Sequence, residues 1–149
     1  MGVRVIQGNL LEAAEDLIGH QVNCQSVMGS GVARSLKEQY PTLFNAFLEF
    51  CQGKTPESLL GQVQTVETGG KVIANLFGQL HYGRSKKVYT DYRALGQALS
   101  TLKTYAQERS LSVALPYYIG CGLANGDWTI VSKLIDDAFS DYEVVLYKL

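Results

Sequence analysis

Short β-rich runs alternate with amphipathic helical patterns along the chain, and this alternation constrains the possible folds more than any other feature of the sequence. The β-rich runs cover residues 3–7, 18–24, 63–67, 71–76, 111–115 and 143–149. Apolar residues at steps of three and four predict helices over residues 31–40, 41–51, 91–110 and 128–139. Strands that alternate with helices indicate an α/β fold, here a three-layer α/β/α sandwich around a mixed, roughly six-stranded central sheet.

Local signals add detail to this prediction. The Thr68-Gly69-Gly70 turn between two β-rich runs predicts a hairpin, which makes one pair of strands antiparallel. Asp91 and Asp127 each stand directly before a helical pattern, in the position of an N-cap. A short helical turn is expected around residues 10–17. The stretch 78–89 mixes Gly, Ser, Lys and Tyr without a period and predicts a loop.

The composition is that of one ordinary folded domain. With 149 residues, of which 46% are hydrophobic and 18% charged, the chain is expected to form a single domain over residues 1–149. No apolar run approaches the roughly 20 residues that span a bilayer, and the first residues lack the apolar stretch of a signal peptide. We therefore expect a cytoplasmic protein that does not bind a membrane; the sequence leaves its oligomeric state open.

The three cysteines, Cys24, Cys51 and Cys121, cannot all pair within one chain. Without an export signal, an odd number of cysteines favours free thiols in a reducing compartment. Their spacing matches no zinc-binding pattern, so we expect neither a metal nor another cofactor. A formal net charge of −1 excludes the basic field that holds a nucleic-acid backbone, although it leaves open contact with a nucleic-acid end.

Two glycine-rich segments follow β-rich runs and precede helical patterns. The first contains Met28-Gly29-Ser30-Gly31, and the second contains Ile119-Gly120-Cys121-Gly122. Glycine lets the backbone approach a ligand closely, and the unpaired N–H groups at a helix start attract anions. Because the carboxyl ends of parallel strands meet at one edge of a sheet, two such loops suit a ligand with two linked phosphates. One loop alone is equally well explained as a tight turn, so the repetition carries the prediction.

Two other phosphate-binding patterns are incomplete in this chain. Gly53-Lys54-Thr55 resembles the end of a P-loop, but Leu48 stands where that motif needs its first glycine. In the first glycine-rich loop, Arg34 replaces the third glycine of the dinucleotide-binding fingerprint. The sequence therefore favours neither a P-loop NTPase nor a Rossmann dinucleotide site.

The residues around the two loops resemble the macrodomain family, whose members bind ADP-ribose with an α/β/α fold. The segments that carry the resemblance are Gly8-Asn9-Leu10, His20-Gln21-Val22-Asn23-Cys24, the two glycine-rich loops, Trp128 and Val145-Leu146-Tyr147-Lys148-Leu149. The resemblance is good over residues 3–52 and 112–149 and loose over the middle of the chain. The most similar branches are the ADP-ribose 1″-phosphate phosphatases and the glycohydrolases that remove terminal ADP-ribose from protein or DNA. The run before the first loop is more similar to the phosphatases.

The resemblance implies that the partner is ADP-ribose or a derivative of it, including ADP-ribose attached to a protein or to a nucleic-acid end. By position, Asn9 would contact the adenine amino group, Asn23 would lie by the distal ribose, and Tyr147 would flank the adenine. The backbones of the two loops would hold the phosphates. The implied ligand-binding residues are Asn9, Asn23, Met28, Gly29, Ser30, Gly31, Val32, Ile119, Gly120, Cys121, Gly122, Leu123 and Tyr147.

Two residues depart from the glycohydrolase pattern. Gly78 stands where that branch has a catalytic Lys, and Ala124 stands where it has an Asp after the second loop. The sequence therefore argues against a lysine-dependent hydrolase. His20 is the candidate catalytic residue, because a His with a near-neutral pKa can activate water or protonate a leaving oxygen when a phosphate monoester is cleaved. The alternative for His20 is a hydrogen-bonded core histidine.

Three functional hypotheses follow from these residues. The first is an enzyme that removes the 1″-phosphate or an attached group from an ADP-ribose derivative. The second is a module that binds ADP-ribose without turning it over. The third is a thiol enzyme built on Cys121, which lies near a predicted helix start where a thiol pKa can fall. A small packed residue is the alternative for Cys121.

Overall fold

A six-stranded mixed sheet forms the centre of the molecule. The computed structural model describes residues 2–149. The strands are β1 (Val3–Gln7), β2 (Leu17–Asn23), β3 (Val63–Thr68), β4 (Lys71–Gln79), β5 (Val113–Pro116) and β6 (Val144–Lys148). Their order in the sheet is β1-β6-β5-β2-β4-β3, and every neighbouring pair is parallel except the β3–β4 hairpin. This arrangement confirms the predicted mixed sheet and places β2 at its centre, between β5 and β4.

Helices cover both faces of the sheet and complete the three predicted layers. They are α1 (Gly31–Gln39), α2 (Leu43–Cys51), α3 (Pro56–Leu59), α4 (Tyr92–Glu108) and α5 (Trp128–Ala138). One hydrophobic core joins the sheet to α4 and α5, and a second core on the opposite face joins it to α1 and α2. Alternate residues of β2 enter different cores, with Leu17 in the first and Ile18 in the second, as expected for a strand buried on both faces.

The local predictions that rest on turn and cap chemistry are confirmed. Gly69 and Gly70 form the hairpin turn with φ of 58° and 77°, the left-handed conformation that favours glycine. The Asp91 carboxylate accepts a hydrogen bond from the Ala94 N–H, and the Asp127 carboxylate accepts one from the Thr129 N–H, each at 2.9 Å. Both aspartates are N-caps, as their positions before the helices predicted.

Some boundaries differ from those predicted by periodicity. The turn expected around residues 10–17 is only a 3-10 turn over Leu10–Glu12, and α3 was not predicted because four residues are too few to show a period. Strand β4 continues to Gln79, into the stretch predicted as a loop, because it is buried on both faces and a continuous buried run has no period-two signal. None of the helices in residues 2–149 has both the length and the apolar character to cross a bilayer.

Candidate ligand-binding site

A cleft of about 560 Å³ opens at the carboxyl edge of the central strands. Three segments border it: the loop after β2, the loop after β5 and the segment that joins β4 to α4. The cleft is lined by many of the residues predicted for the site, namely His20, Asn23, Met28, Gly29, Ser30, Gly31, Val32, Ile119, Gly120, Gly122 and Leu123. The two glycine-rich loops, which are about 90 residues apart in the sequence, therefore share one cavity.

The first loop presents an uncapped helix start to the cleft. Ser30 is the extended N-cap residue of α1, and its side chain makes no capping hydrogen bond. Gly31 follows with φ of 62°, a conformation that other residues rarely adopt. Asn23 shapes the loop from within, since its Nδ2 donates to the Val27 carbonyl and its Oδ1 accepts from the Gln25 N–H, each at 2.9 Å. The first-turn N–H groups of α1 are thus left for an anion.

The second loop is a turn that does not lead directly into a helix. Gly120 has φ of 73°, and its carbonyl accepts hydrogen bonds from Gly126 N at 2.9 Å and from Thr90 Oγ1 at 2.6 Å. Helix α5 begins only at Trp128, where the Asp127 side chain already caps it. The sequence suggested a helix start in both loops, but only the first loop has one that is free. The second loop offers turn N–H groups instead.

Gln21 links the segments around the cleft. Thr90 Oγ1 donates to the Gly120 carbonyl, and Gln79 Nε2 donates to the His81 carbonyl at 2.9 Å. Thr90 and Gln79 therefore turn acceptors toward Gln21, whose Nε2 donates to both, at 3.0 and 2.9 Å. This orientation leaves the Gln21 Oε1 buried and without a donor in residues 2–149. Gln21 thus ties the second glycine-rich loop to the end of β4.

A second chain of hydrogen bonds fixes the tautomer of His20. Gln64 Nε2 donates to the Ala46 carbonyl at 2.9 Å, and Asn75 Nδ2 donates to Gln64 Oε1 at 3.0 Å. The Asn75 Oδ1 is therefore the acceptor that faces His20 Nε2 at 2.6 Å. The proton lies on Nε2, so Nδ1 carries the lone pair. Nδ1 has no partner among the described residues and is closed off from solvent.

Burial controls the protonation of His20, which is only 1% exposed. Loss of hydration lowers the pKa of the imidazole from 6.5 to about 4, and the hydrogen bond to Asn75 offsets only part of that effect. His20 is therefore neutral at neutral pH. In that state it can accept a hydrogen bond at Nδ1, but it holds no second proton to give to a leaving oxygen.

The cleft contains a single formal charge among its lining side chains. Arg84 is the one Lys or Arg residue that lines it, and no Asp or Glu of residues 2–149 does so. The neutral His20 adds no charge. A cleft with a cation, free backbone N–H groups and no carboxylate favours an anionic ligand.

Three of the predicted ligand-binding residues do not line the cleft. The Asn9 Oδ1 caps the 3-10 turn through the Leu11 N–H at 3.0 Å, and the Tyr147 hydroxyl donates to the Glu15 carboxylate at 2.6 Å. Cys121 belongs to the second loop, but burial and the nearby Asp127 carboxylate raise the pKa of its thiol to about 11. A protonated thiol outside the cleft favours the packed-residue interpretation of Cys121.

Among the residues that line the cleft or support its loops, Gln21, Thr90 and Arg84 were not singled out from the sequence. Gln21 and Thr90 act through contacts between residues that are 58 to 69 positions apart, which no local pattern reveals. Arg84 lies in the segment predicted as an ordinary loop. The only signal available in the sequence was the position of Gln21 on the strand that leads into the first loop.

The chain is similar to several proteins whose names refer to ADP-ribose. No family model matches the chain. The DNA ADP-ribosyl glycohydrolase of Mycobacterium tuberculosis is 31% identical over 148 residues, which cover 94% of this chain but only 40% of that protein. The chain therefore spans about two fifths of the length of the curated DNA ADP-ribosyl glycohydrolases that it matches. An ADP-ribose 1″-phosphate phosphatase of Ajellomyces capsulatus is 42% identical over 48 residues, 32% of this chain and 19% of that protein.

A solved structure also matches this chain over almost its whole length. The macrodomain of Mycobacterium tuberculosis DarG superimposes with a TM-score of 0.84 at 29% identity, covering 99% of this chain and 98% of that one. This chain therefore has the fold of that macrodomain.

Proposed function

We propose that this chain, which has the fold of the DarG macrodomain, is a member of the macrodomain family, binds ADP-ribose in the cleft between its two glycine-rich loops and hydrolyses an ADP-ribose derivative. The observation that carries the proposal is the shared cleft of about 560 Å³, bordered by both loops. Its volume is within the range of roughly 300–1,000 Å³ that is usual for small-molecule sites. We also propose that residues 1–149 act as one macrodomain, and that it works in the reducing cytoplasm, because its three cysteines are free thiols.

In the proposed complex the diphosphate of ADP-ribose lies between the two loops. One phosphate accepts hydrogen bonds from the first-turn N–H groups of α1, beginning at Gly31, and the other accepts them from the turn at residues 119–123. The absence of lining carboxylates in residues 2–149 supports a doubly charged ligand there. Asn23 would lie by the distal ribose. Asn9 and Tyr147, outside the cleft lining, would meet the adenine only where the ligand extends beyond the cleft.

The names of the relatives support a hydrolase but differ in the bond that is cleaved. One relative is a DNA ADP-ribosyl glycohydrolase and another is an ADP-ribose 1″-phosphate phosphatase. Each reaction consumes one water, and the products are ADP-ribose and either the unmodified DNA or inorganic phosphate. Gly78 in place of the glycohydrolase lysine favours the phosphatase reaction for this chain.

The role that we propose for His20 follows from its neutral state. His20 would accept a hydrogen bond at Nδ1 from the attacking water and so orient it. This role requires that ligand binding opens Nδ1 to the cleft, and catalytic hydrogen bonds often tighten only when substrate is bound. A leaving oxygen would have to take its proton from elsewhere, because the imidazole has none to give at neutral pH.

A non-catalytic ADP-ribose reader is the second candidate. Two observations favour it: no carboxylate of the described residues lines the cleft, and His20 Nδ1 is closed off from solvent. A reader needs only the two phosphate-binding loops.

A single set of assays separates these functions. Titration with ADP-ribose, followed by calorimetry and by thermal shift, should show binding of one ligand per chain. Turnover is then measured on ADP-ribose 1″-phosphate, on ADP-ribosylated DNA and on ADP-ribosylated protein. Phosphate release that is lost in His20→Leu, with ADP-ribose affinity retained, supports the phosphatase. Binding without turnover on any of the three supports the reader, and absence of ADP-ribose binding rejects both.

A further inference from the structure

We propose that Arg84 determines ligand specificity by binding a third anionic group, a phosphate monoester that the ligand carries beyond its diphosphate. This inference rests on the proposed binding of ADP-ribose in the same cleft. The guanidinium group is suited to the task, because its planar fork of donors matches phosphate oxygens in a bidentate manner.

The first observation is that Arg84 has no partner of its own. In residues 2–149 it takes part in none of the ion pairs and donates no side-chain hydrogen bond. It is exposed, yet it lines the cleft, where it is the only formally charged side chain among the described residues. Most surface cations on this protein are elsewhere paired with carboxylates or lie over aromatic rings. A charge that faces a cavity without a counter-ion is available to a ligand.

The second observation is that the backbone around Arg84 is held in place. Asn125 Nδ2 donates to the Ser85 carbonyl at 2.9 Å and to the Lys87 carbonyl at 2.8 Å. The Ser85 hydroxyl also bonds the Tyr89 hydroxyl at 2.7 Å. The residues that directly follow Arg84 are therefore attached to Asn125, which comes just after the second glycine-rich loop. A guanidinium on such a segment loses less conformational freedom when it binds than one on a free loop.

The third observation is that the diphosphate already has two binding loops. These loops follow β2 and β5, which are adjacent in the sheet, whereas Arg84 follows β4, on the other side of β2. Arg84 thus borders the cleft from a third segment. Two sets of N–H groups and one separate cation fit three phosphates better than two. An ADP-ribose that carries one more phosphate monoester is the ligand class with this pattern.

The test compares three ligands: ADP-ribose, ADP-ribose 1″-phosphate and ADP-ribose 2′-phosphate, in which the additional phosphate lies on the adenosine ribose. Dissociation constants are measured by titration, and phosphate release is monitored in parallel. We expect the 1″-phosphate to bind at least about tenfold more tightly than ADP-ribose, the effect of a charge-assisted hydrogen-bonded pair. The 2′-phosphate should show no comparable gain.

The variants are Arg84→Gln, Arg84→Lys, Asn125→Gly and the control Lys86→Gln. Arg84→Gln should abolish the preference for the 1″-phosphate and weaken the binding of ADP-ribose much less than that of the 1″-phosphate, while Arg84→Lys should keep part of the preference. Asn125→Gly retains a backbone φ of 61° that glycine tolerates but removes both loop-holding bonds, so it should reduce the preference. Lys86, on the same segment but outside the cleft lining, should have no effect.

Several results would overturn the proposal. Equal weakening of ADP-ribose and its 1″-phosphate in Arg84→Gln would place Arg84 at the diphosphate. Equal affinities of the unmodified protein for those two ligands would show that there is no third phosphate site. An equal gain in affinity for the 2′-phosphate would show that affinity depends on the net charge of the ligand alone. Failure of every ligand to bind the unmodified protein would instead reject the proposed function itself.

Discussion

The Gln21 carboxamide occupies the space that any side chain at position 78 would need. A Cβ added to Gly78 would overlap the Gln21 Oε1 and lie 2.9 Å from its Cδ. Strand β4 bulges here, because Val22 pairs with Phe77 and Asn23 with Gln79, which leaves Gly78 unpaired. Gln21 cannot easily move aside, since its Nε2 is bonded to both Gln79 and Thr90. The position at which the resemblance to the glycohydrolase branch implies a lysine is therefore sterically closed in this protein.

This relationship predicts that Gly78→Lys will not create a lysine-dependent hydrolase. We expect the variant to lose about 1–3 kcal/mol of unfolding free energy through overpacking, measured by urea denaturation. Its hydrolysis of ADP-ribosylated DNA should stay at the level of the unmodified protein. Adding Gln21→Ala makes room for the new side chain. The double variant should therefore lose less unfolding free energy than the sum of the losses in the two single variants. Gain of hydrolysis by Gly78→Lys alone would contradict this view of the site.

Thr90 should control the affinity of the second glycine-rich loop. Thr90→Val keeps the shape of this buried side chain but removes the hydroxyl that holds the Gly120 carbonyl and orients Gln21. We expect ADP-ribose to bind about three- to tenfold more weakly, the usual effect of one hydrogen bond. Thr42→Val is the matched control, because its hydroxyl bonds Thr68 on the surface away from the cleft. Equal effects of the two changes would mean that Thr90 acts only through general stability.

The features that were predictable from the sequence are those whose cause is local. The Gly69-Gly70 turn and the Asp91 and Asp127 caps each depend on residues within three positions, so the residue types alone indicate them. The first glycine-rich loop belongs to the same class, since Gly31 and the following helix pattern are adjacent in the chain.

The features that were not predictable depend on distant contacts. In the sequence, Gln21 is an ordinary strand residue. Its contacts with Gln79, at the end of β4, and with Thr90, just before α4, form only in the folded protein. The buried state of His20 arises in the same way, from Asn75 on a neighbouring strand, 55 positions away. A pattern of residue types can indicate that a His stands near the site, but the pKa of that His is set by tertiary packing.

Cys121 should be dispensable for any activity of this protein. With the pKa of its thiol raised to about 11, the thiolate is scarce at neutral pH, and Cys121 is not among the residues that line the cleft. We expect Cys121→Ser to keep ADP-ribose affinity and turnover within about twofold. Iodoacetamide should modify the native protein slowly at neutral pH, as followed by mass spectrometry. Turnover abolished in Cys121→Ser, with binding retained, would restore the thiol-enzyme hypothesis.

His20 should make the stability of the protein depend on pH. Its pKa falls from 6.5 in the unfolded chain to about 4 in the folded protein, so between these values the unfolded state binds more protons. Stability is therefore fully present above pH 6.5 and declines as the pH falls toward 4. The contribution of His20 over that range is on the order of 3 kcal/mol, with a slope approaching 1.4 kcal/mol per pH unit.

The comparison that isolates this effect uses slopes rather than absolute stabilities. His20→Leu leaves Asn75 without its donor and will itself be destabilising, but it should flatten the decline in unfolding free energy between pH 6.5 and 4. His81→Gln, a change at the other, exposed histidine, should retain the full slope. A slope in His20→Leu as steep as in the unmodified protein would show that other groups cause the acid sensitivity. His20 would then not be the buried neutral imidazole on which its proposed role as a hydrogen-bond acceptor depends.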